Sequence, residues 1–481
     1  MPPSLDKYKK SKQQQTAEQS GSGEPSGIPE DVEPGEPSGS PEGDQSTESS
    51  STSLQGDPWD QTSSENESGH TSAKQGQTVK RKPGGQPGHE GHTKKWMKPD
   101  KVEKYEKPPL GMPENARRID DEVHQCQEVR SITEVTEYRV ARWRDSKGRI
   151  YKAETPDEIQ DKLKAPVQYG SRVKAICVDD FVRNAIAYQR TSERFLSEHL
   201  IRISQGSLRN FLREAARLLR QLGFEAWIKA YLTYYVHVLH VDETGVNIGK
   251  LLEWVHICCT ELVTYVYAHD KRGFEAILDM GILTELNPNT VIVHDCWASY
   301  FAVECLHALC GSHLIRELLK AYSQDHLEWV NELITLLIRV NEYKLEKGAL
   351  SDEEFKLLET RYREILERGK KQIEEYKTKY GNQKIKSETL LKRLEKRESE
   401  YLRFAKDAEV PFTNNTAERG FRMLKNRMKI GGCFRNFESA QDYMLVFSYI
   451  ETCRKQGLLP IDALEMLFNN KLPDFVDLSI I

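Results

Sequence analysis

Three carboxylates in this chain stand where a buried run gives way or where cations crowd. Asp242 follows seven mostly apolar residues, YVHVLHV, and is itself followed by Glu243, Thr244 and Gly245. Asp295 follows VIVH, and the chain then breaks at Cys296 and Trp297. Glu418 is the one acid among six Lys or Arg residues between Asn415 and Arg435. A carboxylate at the exposed end of a buried strand is costly unless it meets a cation, hydrogen-bond donors or a metal. Phosphoryl transfer with two Mg²⁺ ions asks for carboxylates drawn from different elements around metals about 4 Å apart. One acid would end a central strand, another a neighbouring strand, and the third would sit on a helix crossing them. Asp242, Asp295 and Glu418 are therefore the candidate catalytic and metal-binding residues, with two Mg²⁺ (or Mn²⁺) ions as cofactor. Taken singly, Asp242 or Asp295 is more commonly a turn or cap residue, and Glu418 also fits a solvated ion pair with Arg422.

The cations around Glu418 suit the same chemistry. In NNTAERGFRMLKNRMKIGGCFR, Asn415, Glu418, Arg419, Arg422, Lys425 and Lys429 recur at helical spacing and share one stripe. Arg419, Arg422, Lys425, Arg427 and Lys429 are the candidate DNA-binding residues there, Arg422 and Lys425 holding the backbone near the scissile phosphate. Gly431 and Gly432 would let the chain approach DNA closely.

The elements that must position these groups follow from periodicity. YVHVLHVDETGVNI, LLEWVHICCT and LVTYVYAHD read as three strands of an antiparallel meander, GFEAILDMGILTEL as a helix, and TVIVHDC as a fourth strand. That order matches a ribonuclease-H-like fold. Charged helices follow over 326–406 as an insert, with a capping box at Ser351 and Glu354. Phe355, Leu358, Tyr362 and Ile365 mark one apolar face, and Leu390, Leu394, Tyr401 and Phe404 a partner. The catalytic core, begun over 231–325, resumes over 407–481 with more helices.

Ahead of the core, residues 171–230 read as helical. TSERFLSEHL and SQGSLRNFLREAARLLRQL are two runs joined by a short turn, Ser204 capping the second. Leu208, Phe211, Leu212, Ala215 and Leu219 form its buried face, which leaves Arg209 and Arg213 outward as in a helix-turn-helix that reads DNA. Helical hairpins are common in any α-rich domain, so scaffold is the plain alternative. Residues 102–170 read as a small β-rich module, in which the alternation in SITEVTEYRVARW and the turn-like DSKG before RIYKA suggest a hairpin. Residues 80–101 carry the basic Gly/Pro motif KRKPGGQPGHEGHTKK, which composition alone reads as a basic linker. Residues 1–79, rich in Ser, Gly, Pro, Glu and Gln, cannot bury enough apolar surface to order themselves. The fold class is thus α+β and multidomain with a disordered N-terminus.

No run of about 18 apolar residues exists, which excludes an ordinary membrane span. The N-terminus has no apolar stretch for a secretory signal, and nine scattered cysteines fit a reducing compartment, so a cytoplasmic location is expected. The net charge of −5 does not exclude DNA, because phosphate contacts need a local basic face rather than a basic total.

The chain resembles the transposases of bacterial insertion-sequence family 66. The matching blocks are RKPGGQPGHEGH (81–92), HVDETGV (240–246), VIVHDCWASY (291–300) and HALCGSHLIREL (307–318). NNTAERGFRMLKNRMKIGGCFR (414–435) and SYIETCRKQGLLPIDAL (448–464) complete them. The resemblance implies an acid triad of Asp242, Asp295 and Glu418, and the 123 residues between the last two leave room for the helical insert such enzymes carry. It also implies double-stranded DNA as partner (the element's terminal inverted repeats and a target), a homodimer or higher assembly on DNA, and accessory proteins of the same element. Two departures stand out. Between 102 and 170 only His124 and Cys126 are candidate zinc ligands, so no zinc is expected. A leucine-heptad segment ahead of the glycine motif is missing, its place taken by the polar tail.

The expected function is metal-dependent cleavage at the ends of a mobile element followed by 3′-OH strand transfer. The alternative is a sequence-specific DNA-binding protein descended from a transposase that no longer cleaves. A ribonuclease-H-like nuclease of DNA repair would need neither the glycine motif nor the helix-turn-helix.

Overall fold

A computed structural model describes residues 98–481 apart from 108, 114, 118–120 and 127–131. The expected tail over 1–79 and nearly all of the basic Gly/Pro motif lie outside the described residues. The chain divides into two compact units, 1–129 and 130–481. Residues 98–126 of the first contain turns but neither helix nor strand among those described. The second unit, 130–481, holds all the helices and strands described.

It opens on a hairpin of β1 (Arg142–Arg144) and β2 (Ile150–Lys152), with Trp143 opposite Tyr151. The Asp145 carboxylate ties the turn by accepting the backbone N–H groups of Lys147 and Arg149. All six strand residues are exposed, so this hairpin has no core of its own. The hairpin expected from SITEVTEYRVARW and RIYKA forms across the DSKG turn, but its strands are short, because the alternating stretch has Thr, Glu and Arg on both sides.

Four helices follow: α1 (Ser171–Val182), α2 (Tyr188–His199), α3 (Gln205–Gln221) and α4 (Phe224–Tyr234). Ser204 caps α3 by accepting the Ser207 N–H at 3.0 Å, and Leu208, Phe211, Leu212, Ala215 and Leu219 are all buried. Their burial is not private to a separate domain. They share one continuous core with the central sheet and the last helices of the chain, so the helix pair is built into the main body.

The sheet comprises β3 (Val238–Ile248), β4 (Leu251–Cys259), β5 (Thr264–His269), then α5 (Phe274–Met280), β6 (Val291–His294) and β7 (Leu306–Leu309). Its order is β5-β4-β3-β6-β7, with the first three strands antiparallel and β6 and β7 parallel to β3. Strand β7 escaped the sequence reading because LHAL is too short to show a period.

Beyond the sheet lie α6 (Gly311–Asp325), α7 (Glu328–Lys347), α8 (Asp352–Tyr380), α9 (Lys386–Lys396) and α10 (Glu398–Lys406). The capping box at Ser351 and Glu354 forms at the start of α8. Leu358, Tyr362, Ile365, Leu390, Leu394, Tyr401 and Phe404 bury one face, and the Tyr362 hydroxyl donates to the Leu394 carbonyl at 3.1 Å. They share a core with Val291 and Val293 of β6 and Ala308 and Leu309 of β7. The inserted helices therefore cover one face of the sheet.

The chain returns with α11 (Asn415–Gly431), α12 (Phe437–Lys455) and α13 (Pro460–Phe468). Edge strand β5 is closed by α12: the N–H groups of Thr264 and Val266 donate to the Thr452 and Ser448 hydroxyls. Side-chain oxygens thereby satisfy an edge that would otherwise present unpaired donors. No helix among the described residues is long and apolar enough to cross a membrane.

Candidate active site

Asp242 was expected at the end of its strand. Instead β3 runs on to Ile248, and Asp242 pairs with Ile257 of β4. What stops before Asp242 is the other neighbour: β6 pairs with β3 only over Val238–Val291, Leu239–Ile292 and His240–Val293. Strand Asp242 is thus free on the β6 side, where β6 has ended and Asp295 follows directly on His294.

Successive strand residues point to opposite faces. Leu239 and Val241 join the core under α3 and α12, whereas Val238, Val291 and Val293 belong with the inserted helices. Asp242 and Asp295 take the latter face by the same alternation. Helix α11 crosses β3 and β4 on that face, where Gly420 is needed because a Cβ there would stand 2.4 Å from Cδ1 of buried Ile257. Its start is pinned by Asn414, which is buried. The Asn414 side chain donates to the Val241 carbonyl at 2.9 Å and accepts from Nδ1 of His240 at 2.8 Å. Burial holds His240 below its ordinary pKa, in keeping with a neutral ring. Glu418, one turn on, is thereby fixed beside the strand that bears Asp242.

The electrostatics record the crowding. Burial pushes the Asp242 carboxyl up to about 7, and Glu243, Asp295 and Glu418 all add to the rise. The side chain of Glu418 is turned toward α6, with Oε1 3.5 Å from Nδ1 of His313 and 3.7 Å from Arg316. The pairing with Arg422 does not form among the described residues. Oε1 of Glu418 is buried without a hydrogen bond. The three acids do not themselves close to within 4.8 Å as a ligand set; among the described residues the group that does is Cys310, His313 and Glu418. A carboxyl whose charge burial and neighbouring acids disfavour, with another acid nearby, fits a divalent cation that would offset that charge.

Glu243, the next residue, has another task. It lies on the opposite face, where Arg272 donates to Oε1 at 2.7 Å and the Tyr300 hydroxyl donates to Oε2 at 2.7 Å. Burial raises its pKa, opposed by these two bonds. The Arg272 guanidinium lies over both Trp254 and Trp297, 4.8 and 4.9 Å from the ring centroids. This network ties β3, β4 and the turn after Asp295 together directly behind the acids.

The basic stripe divides. Arg419, Arg422, Lys425 and Lys429 are exposed, and none has an ion pair among the described residues. Arg427 is a correction: it is 6% exposed and packs over Phe181, Phe434 and Tyr443. Its spacing from Leu424 and Phe421 puts it on the buried face of α11, so it cannot meet DNA in this fold. Gly431 is likewise reassigned, since a Cβ there would stand 1.9 Å from the Arg427 guanidinium. Gly432, at φ +69°, ends the helix. Arg209 is exposed on α3, while Arg213 is bound to Glu438 of α12 at 3.0 Å.

The profile of the Transposase IS66 family matches residues 166–442. The chain belongs to this transposase family. The match runs from just before α1 into α12 and takes in the sheet, the inserted helices and all three acids. Comparison with curated proteins gives no match. Within this family member, sequence reasoning missed Asn414, Glu243, Arg272, Tyr300, Cys310 and His313. Asn414 and Glu243 stand beside residues already singled out, and only the strand alternation could have separated Glu243 from Asp242. Cys310 and His313 carry a metal-ligand spacing, C-x-x-H, that passed unremarked.

Proposed function

We propose that this transposase cuts DNA at the ends of an insertion sequence and joins the freed 3′-OH to target DNA, with Asp242, Asp295 and Glu418 as its acid triad. The observation that carries the reading is the placement of these acids: Asp242 lies on β3 where β6 has ended, Asp295 directly follows β6, and Glu418 lies on the helix across them. Asp295 and Glu418 are close enough that both add to the rise that burial and Glu243 impose on the Asp242 carboxyl. Strand order β5-β4-β3-β6-β7, with a helix bearing the third acid laid across it, supports a ribonuclease-H-like core. Bound Mg²⁺ or Mn²⁺ would supply activation of the attacking oxygen and offset charge at the phosphate. Asp242 and Asp295 would hold it from the strands and Glu418 from the helix, once its side chain turns from His313 toward the sheet.

The chain's own residues do the rest. Asn414 orients α11, and the Glu243–Arg272–Tyr300 network keeps β3 and the Asp295 turn in fixed relation. Arg419, Arg422, Lys425 and Lys429 bind phosphates along the approaching duplex. Arg209 on α3 is the better candidate for reading a groove, because Arg213 is already paired. A strand-transfer assay with duplexes carrying the element's own ends tests the reading. Products ending in joined target DNA support it; tight binding without any cut would favour a transposase-derived DNA-binding protein.

A further inference from the structure

Helix α6 begins beside the acids, and its first turn faces Glu418. Cys310, the residue that caps α6, and His313 within it offer Sγ and a ring nitrogen that lie within 4.8 Å of each other and of a Glu418 carboxylate oxygen. Nδ1 of His313 and Oε1 of Glu418 are both buried and stand 3.5 Å apart as a charge pair without an aligned hydrogen bond between them, and His313 also interacts with the Cys310 thiol. Arg316, 3.7 Å from the same Glu418 oxygen, is the other group that faces it, so this oxygen keeps lone pairs that no hydrogen bond engages. Cys310 Sγ is held in place by the Asn414 N–H at 3.2 Å. His313 and Glu418 are only partly buried, and a small cleft lined by Asp295, Cys296, Cys310, His313 and Glu317 leads in.

A thiol, an imidazole and a carboxylate form a different donor set from three carboxylates. Hard Mg²⁺ prefers oxygen, whereas thiolate with imidazole selects Zn²⁺ and similar ions. We infer that Cys310, His313 and Glu418 make a three-ligand site for a thiophilic divalent cation such as Zn²⁺, leaving one coordination position for water. Uptake releases the thiol proton to solvent, since thiolate and neutral imidazole are the ligating forms. The expectation of no zinc concerned residues 102–170, and this site lies elsewhere. One consequence rests on the proposed triad: an ion here holds Glu418 on the α6 side, away from Asp242 and Asp295, so Zn²⁺ inhibits the Mg²⁺-dependent reaction.

Co²⁺ is the spectroscopic probe, added to the full-length protein. A sulfur-to-cobalt charge-transfer band with one equivalent bound is expected for the wild type and for a Cys126→Ser/Cys433→Ser control, which removes the two exposed thiols. Cys310→Ser should abolish the band, and His313→Ala should weaken Co²⁺ binding by about tenfold or more. No band in the wild type, or a band that survives in Cys310→Ser, overturns the site. Cleavage in Mg²⁺ with rising Zn²⁺ then reads the consequence separately, with Cys310→Ser expected to be at least about tenfold less sensitive. A cobalt band together with zinc-insensitive cleavage would keep the metal site and remove Glu418 from the triad.

Discussion

Asp295 lies near enough to Asp242 to raise its pKa, and the two are separated by the same 53 residues that set the parallel register of β3 and β6, from Val238 with Val291 to His240 with Val293. Asp242 and Asp295 each follow the last register pair, His240 with Val293, by two residues, which puts both on the alternation of Val238 and Val291. A one-residue slip would send one carboxylate to the opposite face. Spacing that looks arbitrary along the chain is thus a consequence of strand pairing.

That alternation separates neighbours that share a charge. Asp242 and Glu243 are adjacent acids, yet Glu243 is engaged with Arg272 and Tyr300 behind the sheet. Glu243→Gln keeps the shape and an acceptor for one donor, so cleavage should survive within about tenfold, while thermal stability falls by about 1–3 kcal/mol. Asp242→Asn should abolish cleavage with stability unchanged or raised. Paired kinetic and melting measurements on the two variants check this, and loss of cleavage in well-folded Glu243→Gln would place that residue in the active site.

Protons compete with metal at Asp242. Its carboxyl, pushed up to about 7 by burial first and by neighbouring acids next, must lose its proton to bind a cation. Since the metal-free pKa is raised, Mg²⁺ binding weakens as pH falls, by about tenfold per pH unit below 7 if one proton is displaced. Calorimetry in buffers of different ionisation enthalpy should show about one proton released at pH 6 and almost none at pH 8. A Mg²⁺ requirement that is flat across this window would contradict the assignment.

The cations of α11 should behave as two classes. Arg422→Ala and Lys425→Ala are expected to weaken binding on every DNA sequence and to lower the salt slope by about one unit each. Arg427→Ala should leave that slope unchanged and destabilise the fold by about 2 kcal/mol, through the loss of its packing on three aromatic rings. Binding measured against salt, with melting curves alongside, separates the classes.

On α3, Arg209→Ala should lower the preference for element ends over random DNA more than Arg213→Ala does. Arg213 must first leave Glu438, which limits what it can give to a base. Competition binding with specific and random duplexes measures the ratio, and equal effects of the two substitutions would leave this helix pair as scaffold.

Much of this was legible in the sequence because periodicity reports local structure well. The meander, Ser204 as a cap, the capping box at Ser351 and the apolar faces of α3 and α8 all follow from residue spacing. Arg427 was misread because charge alone placed it among the DNA-binding residues, although it is not on the helical stripe; counted with Ala417, Phe421 and Leu424, it belongs to the buried row. The hairpin over SITEVTEYRVARW and RIYKA was legible from alternation and the DSKG turn, but alternation without an apolar face keeps its strands to three residues each. Residues that act through long-range contacts, such as Asn414 on Val241 or Tyr300 on Glu243, leave no local trace.

The central claim is that Asp242, Asp295 and Glu418 form one metal-dependent active site. Strand transfer in Mg²⁺ by Asp242→Asn, Asp295→Asn and Glu418→Gln, with DNA binding measured on the same preparations, tests it most directly. An amide keeps the shape of each side chain and removes the charge that holds a cation, so each variant should lose about a thousandfold or more in rate while still binding DNA. Near-normal strand transfer by any one of them would remove that residue from the site and contradict the account.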